Sequence, residues 1–492
     1  MLLPSLADAF FVGLFVVLAL GYSDRLLADG DTGYHVRTGE HIIATGQVPT
    51  RDLFAFDDPP LPWFAHEWLA EVVMALAHRA AGLTGVVVLA ALLLALALTL
   101  LFRQLLASGG DVVSAFAIAA LAATTSMLHW LARPHLFTLL GFSSALVILQ
   151  RHRHDGWRGI WLLPLLMVAW VNLHGGFVTL FLLLGIELVD AAIDWLRERP
   201  LAAGPVRRRL RALLAVAAAC LLATLVNPRG GRALWFPLQL AANRFVVDHV
   251  DEFQSPDFHH QLLLGGCIAV LLLLLLVSRA RLGLVATLQV GLFFVMALYS
   301  SRHAPLFALV AAPAMVTLLG ALPGRRIPGL LARSRAHSES LLAQSRQSIG
   351  HLWPLAALLG VVVLIGSGRF ELRYQERDRP IAAVQYLLEH PVAGRPYTND
   401  EFGDYLIYAA WPRYRVFFDG RGDMYGADRM RDYLELSQVG PRFDQVVAHY
   451  DFDWAFVRSD STLAGYLALR DDWHSIYSDA LAAIFVRDGG GR

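Results

Sequence analysis

The chain contains no lysine, and all 41 of its basic residues are arginine. A compositional bias accounts for that, and it carries no mechanism of its own. Charge of either sign is scarce. Only 17% of the 492 residues are charged, where a soluble globular protein carries about 25%. Acidic and basic residues balance to a net charge of zero, so nothing points to a nucleic-acid partner. Cysteine is nearly missing. Cys220 and Cys267 lie in the apolar runs AAACLLATL and LGGCIAVLL, which reads as two packed thiols and argues against a disulfide or metal site. There is no P-loop, dinucleotide fingerprint or serine nucleophile elbow, so nucleotide-driven chemistry has no support. The N-terminus lacks the basic stretch of a cleaved signal peptide, and residues 4–22 read as a retained first span.

What the chain has instead is apolar length. Hydrophobic residues make up 56% of it and the mean hydropathy is +0.50. A bilayer-spanning helix needs roughly 20 apolar residues. The expectation is a polytopic α-helical membrane protein with about eleven spans: 4–22, 84–106, 112–131, 134–150, 160–173, 176–195, 210–226, 261–278, 282–300, 303–320 and 352–367. Arginine placement tests that count. Arg151 to Arg158, Arg197 to Arg211, Arg279 with Arg281, and Arg325 to Arg346 fall in four loops on one side, which the positive-inside rule makes cytoplasmic. The N-terminus is then cytoplasmic, and 323–350 is an Arg- and Ser-rich cytoplasmic linker. The opposite face receives the loop 23–83, the loop 227–260 and everything after 367.

Residues 370–492 differ in kind. IAAVQYLLEH and FDQVVAHY read as helices, and RVFFD, WAFVR and AAIFVR as short strands, so a small extracytoplasmic α/β domain is expected behind a membrane domain 1–367.

Unusual polar residues gather at helix ends on the outer face: Asp31 and His35 in the first loop, His66 and Glu67 near its end, then His129, Arg133 and His135, Asn172 and His174, Asn227 and Arg229, and Arg302 and His303. Ionisable groups at membrane depth are costly and normally face a bundle interior or a wet cavity. Five separate turns enriched on one face therefore predict an outward-facing polar pocket. Transfer from a lipid-linked phosphate donor fits that chemistry. Arg133, His135, His174, Arg302 and His303 would neutralise the phosphate. A carboxylate, with Asp31 ahead of Asp29 and Glu67, would take a proton from the acceptor. His35, His66 and Asn172 would complete the pocket.

Structural readings stand beside these. Asp29 and Asp31 also suit helix N-caps, Asn172 and Asn227 suit the satisfaction of freed backbone groups, Arg302 suits an interfacial anchor, and His66 an aromatic belt. The glycine-rich FFDGRGDMYG reads first as a turn, and Asn399 as a helix cap. No His, Cys or acidic spacing resembles a metal motif, and no cofactor is expected.

At these same residues the chain resembles the GT-C superfamily of membrane glycosyltransferases, which use polyprenyl-phosphate sugars. DTGYHVRTGEHIIATGQVPTRDLF is similar to the family's first outer loop, with an acid, a helix ending in glycine, then proline and a second acid, Asp52. HEWLAEVVMALAHRAAG, residues 66–82, looks like the surface or re-entrant helix leading into the second span. DTGYHVRTGE, HEWLAE, WVNLHGGF, LVNPRG, SRHAPLF, DEFGDYLIY and FFDGRGDMYG also fit a large group of bacterial membrane proteins. The resemblance implies an inverting, hexosyltransferase-like enzyme of the bacterial inner membrane, with Asp31 as base, Asp52 in the pocket, and a lipid, glycan or protein acceptor. The chain departs from the protein mannosyltransferases, because Asp31 is followed by Thr32 and not by a second acid. A lipid or polysaccharide transporter and a non-catalytic assembly protein remain as alternatives. The first predicts charges at mid-span, the second a filled interior beneath the first loop.

Overall fold

The computed structural model describes residues 3–197, 204–322, 338–345, 348 and 352–489. Most of the linker expected at 323–350 lies outside the described residues, as do Arg199 and the arginines expected between 325 and 346. A helix lies over each of the eleven apolar segments, from Leu6–Gly21 to Leu352–Gly366. Four helical segments are long and apolar enough to cross a membrane on length and composition: Trp68–Ala107, Val112–His129, Gly175–Arg197 and Ser301–Gly320. Five more, among them Leu262–Val277 and Leu284–Tyr299, are apolar but shorter.

The segment after the first span is a helix, Thr32–Thr45, closed by Gly46 at φ 68°, a left-handed cap that glycine adopts without steric cost. It packs hard on the long helix Trp68–Ala107. Gly39 makes that possible, since a Cβ there would lie 2.0 Å from the Glu71 carbonyl oxygen. The long helix is broken at Ala81 and Gly82, which leave helical geometry. Residues 68–80 therefore form the expected entry helix, and 83–107 the span.

The C-terminal region carries a four-stranded mixed sheet: β1 (Arg395–Thr398), β2 (Phe452–Arg458), β3 (Trp473–Ser478) and β4 (Ala482–Arg487), in the order β1-β2-β4-β3. β1 runs parallel to β2, and the other two pairings are antiparallel. WAFVR and AAIFVR are strands and IAAVQYLLE and FDQVVAHY are helices, as expected. RVFFD is not a strand of this sheet. It pairs with the first loop: Val416 N–H donates to Phe54 O at 3.0 Å, and Phe56 N–H donates to Val416 O at 3.2 Å. Its apolar run marks a seam between the C-terminal region and the loop 23–83. Asn399 caps the helix Asp400–Ala410, accepting from Phe402 N–H at 3.2 Å. Asn227 likewise serves the backbone, accepting from Arg229 N–H at 2.7 Å. Both cysteines are buried free thiols.

Candidate active site

The acids of the first loop divide their work. Asp29 Oδ1 accepts the Asp31 N–H at 2.8 Å and so makes the local turn. Asp31 makes no side-chain capping bond to the helix behind it. Its carboxylate instead takes Arg133 Nη2 at 2.7 Å, while Nη1 of the same guanidinium reaches Asp29 at 2.8 Å. A third carboxylate arrives from the C-terminal region. Asp404 lies on the helix Asp400–Ala410, and its Oδ1 accepts from Gly420 N–H at 3.2 Å. Gly420 sits between the two acids, for a Cβ on it would lie 1.9 Å from Asp31 Oδ1 and 3.2 Å from Asp404 Oδ2. Burial pushes the Asp31 and Asp404 carboxyls well above the usual range. Arg133 opposes this at Asp31, and the charge of Asp31 adds to it at Asp404. Like charges this close favour one shared proton.

Gly420 gives an independent handle on this pair. Its backbone needs no positive φ, so Gly420→Ala adds only the methyl group that displaces Asp31. We expect the C-terminal sheet to stay folded by circular dichroism while any activity that depends on Asp31 falls by up to about 10²-fold, the range of a misplacement near 1 Å.

Glu67 occupies the second cluster. His174 Nε2 lies 3.4 Å, His66 Nε2 3.5 Å and His35 Nε2 3.8 Å from its carboxylate. Burial penalises charge on both Glu67 and His66, and their mutual attraction outweighs it. Glu67 is held well below the usual carboxyl range and His66 is raised. Burial lowers His35 to about 3, so it is a neutral ring at neutral pH. The His174 tautomer follows from its partners. Nδ1 accepts from Gly176 N–H at 2.9 Å and faces the Thr138 hydroxyl at 2.7 Å. Thr138 Oγ1 already accepts from Trp170 Nε1 at 2.9 Å, leaving its own proton for the imidazole. The His174 proton therefore sits on Nε2, toward Glu67.

Beside this cluster opens a cavity of about 380 Å³. His66, His129, His135, His174, Glu252, Arg302 and His303 mark its polar part, and Leu136, Leu139, Leu182, Phe236, Met296 and Pro305 its apolar walls. Arg302 is the cation. Its Nη1 pairs with Glu252 at 3.0 Å, its Nη2 lies 3.4 Å from His174 Nε2, and it stacks 4.9 Å over the Phe253 ring. His303 Nδ1 is buried without a partner among the described residues.

The structure thus brings His135, His174, Arg302 and His303 to one cavity with His66, and puts Asp31 and Arg133 together next to it. Three expected pocket residues go elsewhere. Asn172 is fully used, accepting Trp68 Nε1 at 2.7 Å and donating to Val168 O and Val226 O at 2.8 Å each. His35 is enclosed between Glu67 and Glu71. Asp52 pairs with Arg421 in the seam to the C-terminal region. Among the described residues no group of three or more His, Cys, Asp and Glu side chains has a metal-holding arrangement. Sequence reasoning missed two acids. Asp404 was detectable as a lone acid among Phe402, Leu406 and Ile407 on a buried face. Glu252 lies in an aperiodic loop, where nothing separates it from Asp248 and Asp251.

Solved structures share this architecture. The oligosaccharyltransferase AglB of Archaeoglobus fulgidus, determined in complex with an inhibitory peptide and a dolichol-phosphate, matches with a TM-score of 0.59 at 13% identity, over 94% of this chain and 70% of that one. ArnT from Cupriavidus metallidurans, bound to undecaprenyl phosphate, matches at 0.52 and 16% identity over 97% of both chains. The chain has the fold that AglB and ArnT share. No family model and no curated protein matches the sequence. At these identities the likeness is one of fold.

Proposed function

We propose that the chain is an integral-membrane glycosyltransferase of the bacterial inner membrane. It takes a sugar from a polyprenyl-phosphate donor and passes it to a lipid, glycan or protein acceptor on the extracytoplasmic face. All eleven apolar helices cross the bilayer in this reading, and the arginine-rich loops are cytoplasmic. The observation that carries it is the cavity itself, which joins apolar walls to Arg302 and a set of imidazoles, beside a buried carboxylate pair. A prenyl chain lies along Leu136, Leu139, Leu182 and Met296. Its phosphate binds Arg302 in competition with Glu252, and His174 Nε2–H and protonated His66 donate beside it.

The acceptor oxygen attacks the anomeric carbon as the bond from that carbon to the phosphate oxygen breaks. Polyprenyl phosphate leaves with the bonding electrons, stabilised by Arg302. The acceptor proton passes to Asp31, whose raised proton affinity suits a general base. One displacement inverts the anomeric centre. Glu67, ionised against His66, is a poor base and acts as a positioning residue for His66 and His174.

A transporter would place its charges near mid-span, and the polar groups here stand at helix ends. An assembly protein would have a filled interior beneath the first loop, whereas His66 of that loop lines an open cavity. Transfer assays in proteoliposomes with polyprenyl-phosphate sugars test the proposal. Arg302→Ala is expected to raise the donor KM about 10- to 100-fold, the scale of a lost charged hydrogen bond. An unchanged donor KM would reject Arg302 as the phosphate site.

A further inference from the structure

A second, larger cavity of about 830 Å³ lies at the other end of the bundle. It is bounded by the C-terminal ends of Trp68–Ala107 and His135–Asp155, the start of Leu284–Tyr299 and the later half of Ala304–Gly320. Along that last helix, Thr317 in its wall stands about 22 Å from Arg302 at 1.5 Å per residue. The cavity is therefore separate from the donor site.

Two glutamines distinguish it from a packing defect. Gln104 and Gln289, on different helices, are 8% and 9% exposed and both line it. Neither side-chain amide has a hydrogen-bond partner among the described residues. Both amides line the cavity, so their hydrogen bonds are made to whatever fills it. Each offers both a donor and an acceptor, so the missing partner must do the same. Arginines outnumber acids at the mouth, where Arg103, Arg151 and Arg153 stand with one carboxylate, Asp155. Arg103 is exposed and makes no ion pair among the described residues, and Arg151 is exposed and only stacks over Trp157 at 5.6 Å. Arg153 is already taken by Glu187. Leu100, Leu146, Leu309 and Val310 form apolar walls.

We propose that this cavity binds an anionic glycerophospholipid with a hydroxylated headgroup, drawn from the leaflet opposite the active site. Headgroup hydroxyls satisfy Gln104 and Gln289 as donor and acceptor. The phosphodiester sits against Arg103 and Arg151, and the chains run along the leucine walls. A polyprenyl phosphate fits less well, having one chain and no headgroup hydroxyl, while this cavity has more than twice the volume of the donor cavity. The inference rests on the bundle spanning a bilayer and not on the transfer chemistry.

Lipid binding to the delipidated full-length protein, read by native mass spectrometry, tests it. Phosphatidylglycerol, phosphatidylethanolamine and undecaprenyl phosphate are the probes. Wild type should prefer phosphatidylglycerol to phosphatidylethanolamine by about tenfold. Gln104→Leu with Gln289→Leu should lose that preference and keep undecaprenyl phosphate binding, while melting no lower in lipid-free detergent. If the double variant does not fold, the exposed Arg103→Ala should erase the same preference. Arg302→Ala should show the reverse pattern, so failure of the donor-site reading leaves this result standing. Equal binding of both phospholipids, an unchanged preference in both the glutamine and Arg103 variants, or loss of undecaprenyl phosphate from the glutamine variant would overturn the proposal.

Discussion

Asp31→Asn is expected to lower the transfer rate by about 10²- to 10⁴-fold, the range for a general base, with the donor KM nearly unchanged because Arg302 is untouched. The amide keeps the size of the side chain and removes only its capacity to accept the proton. The partner carboxylate sharpens the test. Burial raises the proton affinity of both Asp31 and Asp404, and the charge of Asp31 raises Asp404 further. A base works when deprotonated, so the rate should rise with pH through the raised pKa of the pair. Removing one charge lowers the pKa of the other. Asp404→Asn should therefore keep substantial activity and move the rising limb of the profile to lower pH. Wild-type rates for Asp31→Asn, or a limb that stays in place in Asp404→Asn, would exclude the pair as the proton acceptor.

Much of this was readable from the chain. Hydropathy placed a helix on each apolar segment. The glycine stop at Gly46, the cap at Asn399 and the break at Ala81–Gly82 follow from local rules that need no tertiary partner. The gathering of polar residues at helix ends was also legible, since such side chains stand out against an apolar background. Which of them meet was not. Asp31 and Arg133 are about a hundred residues apart in sequence, yet their atoms lie 2.7 Å apart. Asn172 carries the same kind of signal as His174, two residues on, but its amide points into a helix junction while the imidazole points into the cavity. RVFFD has the composition of a central strand, and no local feature says that its partner is Phe54–Phe56 and not the sheet. Pattern reports that a residue is buried or polar, whereas long-range contact decides what it does.

The largest effect on stability is expected at Arg421, in the turn FFDGRGDMYG. The glycine-rich sequence suggested a plain turn, but its arginine is 2% exposed and bound on every side. Nη1 reaches Asp52 of the first loop at 2.7 Å. Nη2 and Nε reach Asp419 at 2.6 and 2.8 Å. The Trp63 and Phe54 rings lie 4.7 and 4.8 Å from the guanidinium carbon. The turn therefore clamps the C-terminal region onto the loop that carries Asp31, and it holds Gly420 against that carboxylate. Arg421→Leu leaves Asp52 and Asp419 buried without their cation, which should cost about 3–5 kcal/mol. Thermal unfolding followed by Trp63 and Trp411 fluorescence would show it. Adding Asp52→Asn and Asp419→Asn to Arg421→Leu should recover much of the loss, because the cost lies in the stranded charges more than in the absent contacts. Acid should open the same clamp. Burial would raise Asp52, but Arg421 and the Phe54 and Ala55 N–H groups bring it below its ordinary value of 3.8. A carboxyl depressed in the folded state contributes stability that is complete above the unfolded value and fades as pH falls through the folded one. The clamp should hold at neutral pH and weaken only below about 3.8. Asp52→Asn should be less stable at neutral pH and lose less on acidification. If the variant and wild type lose stability in parallel down to acid pH, Asp52 is not the group that ties the C-terminal region to the catalytic loop.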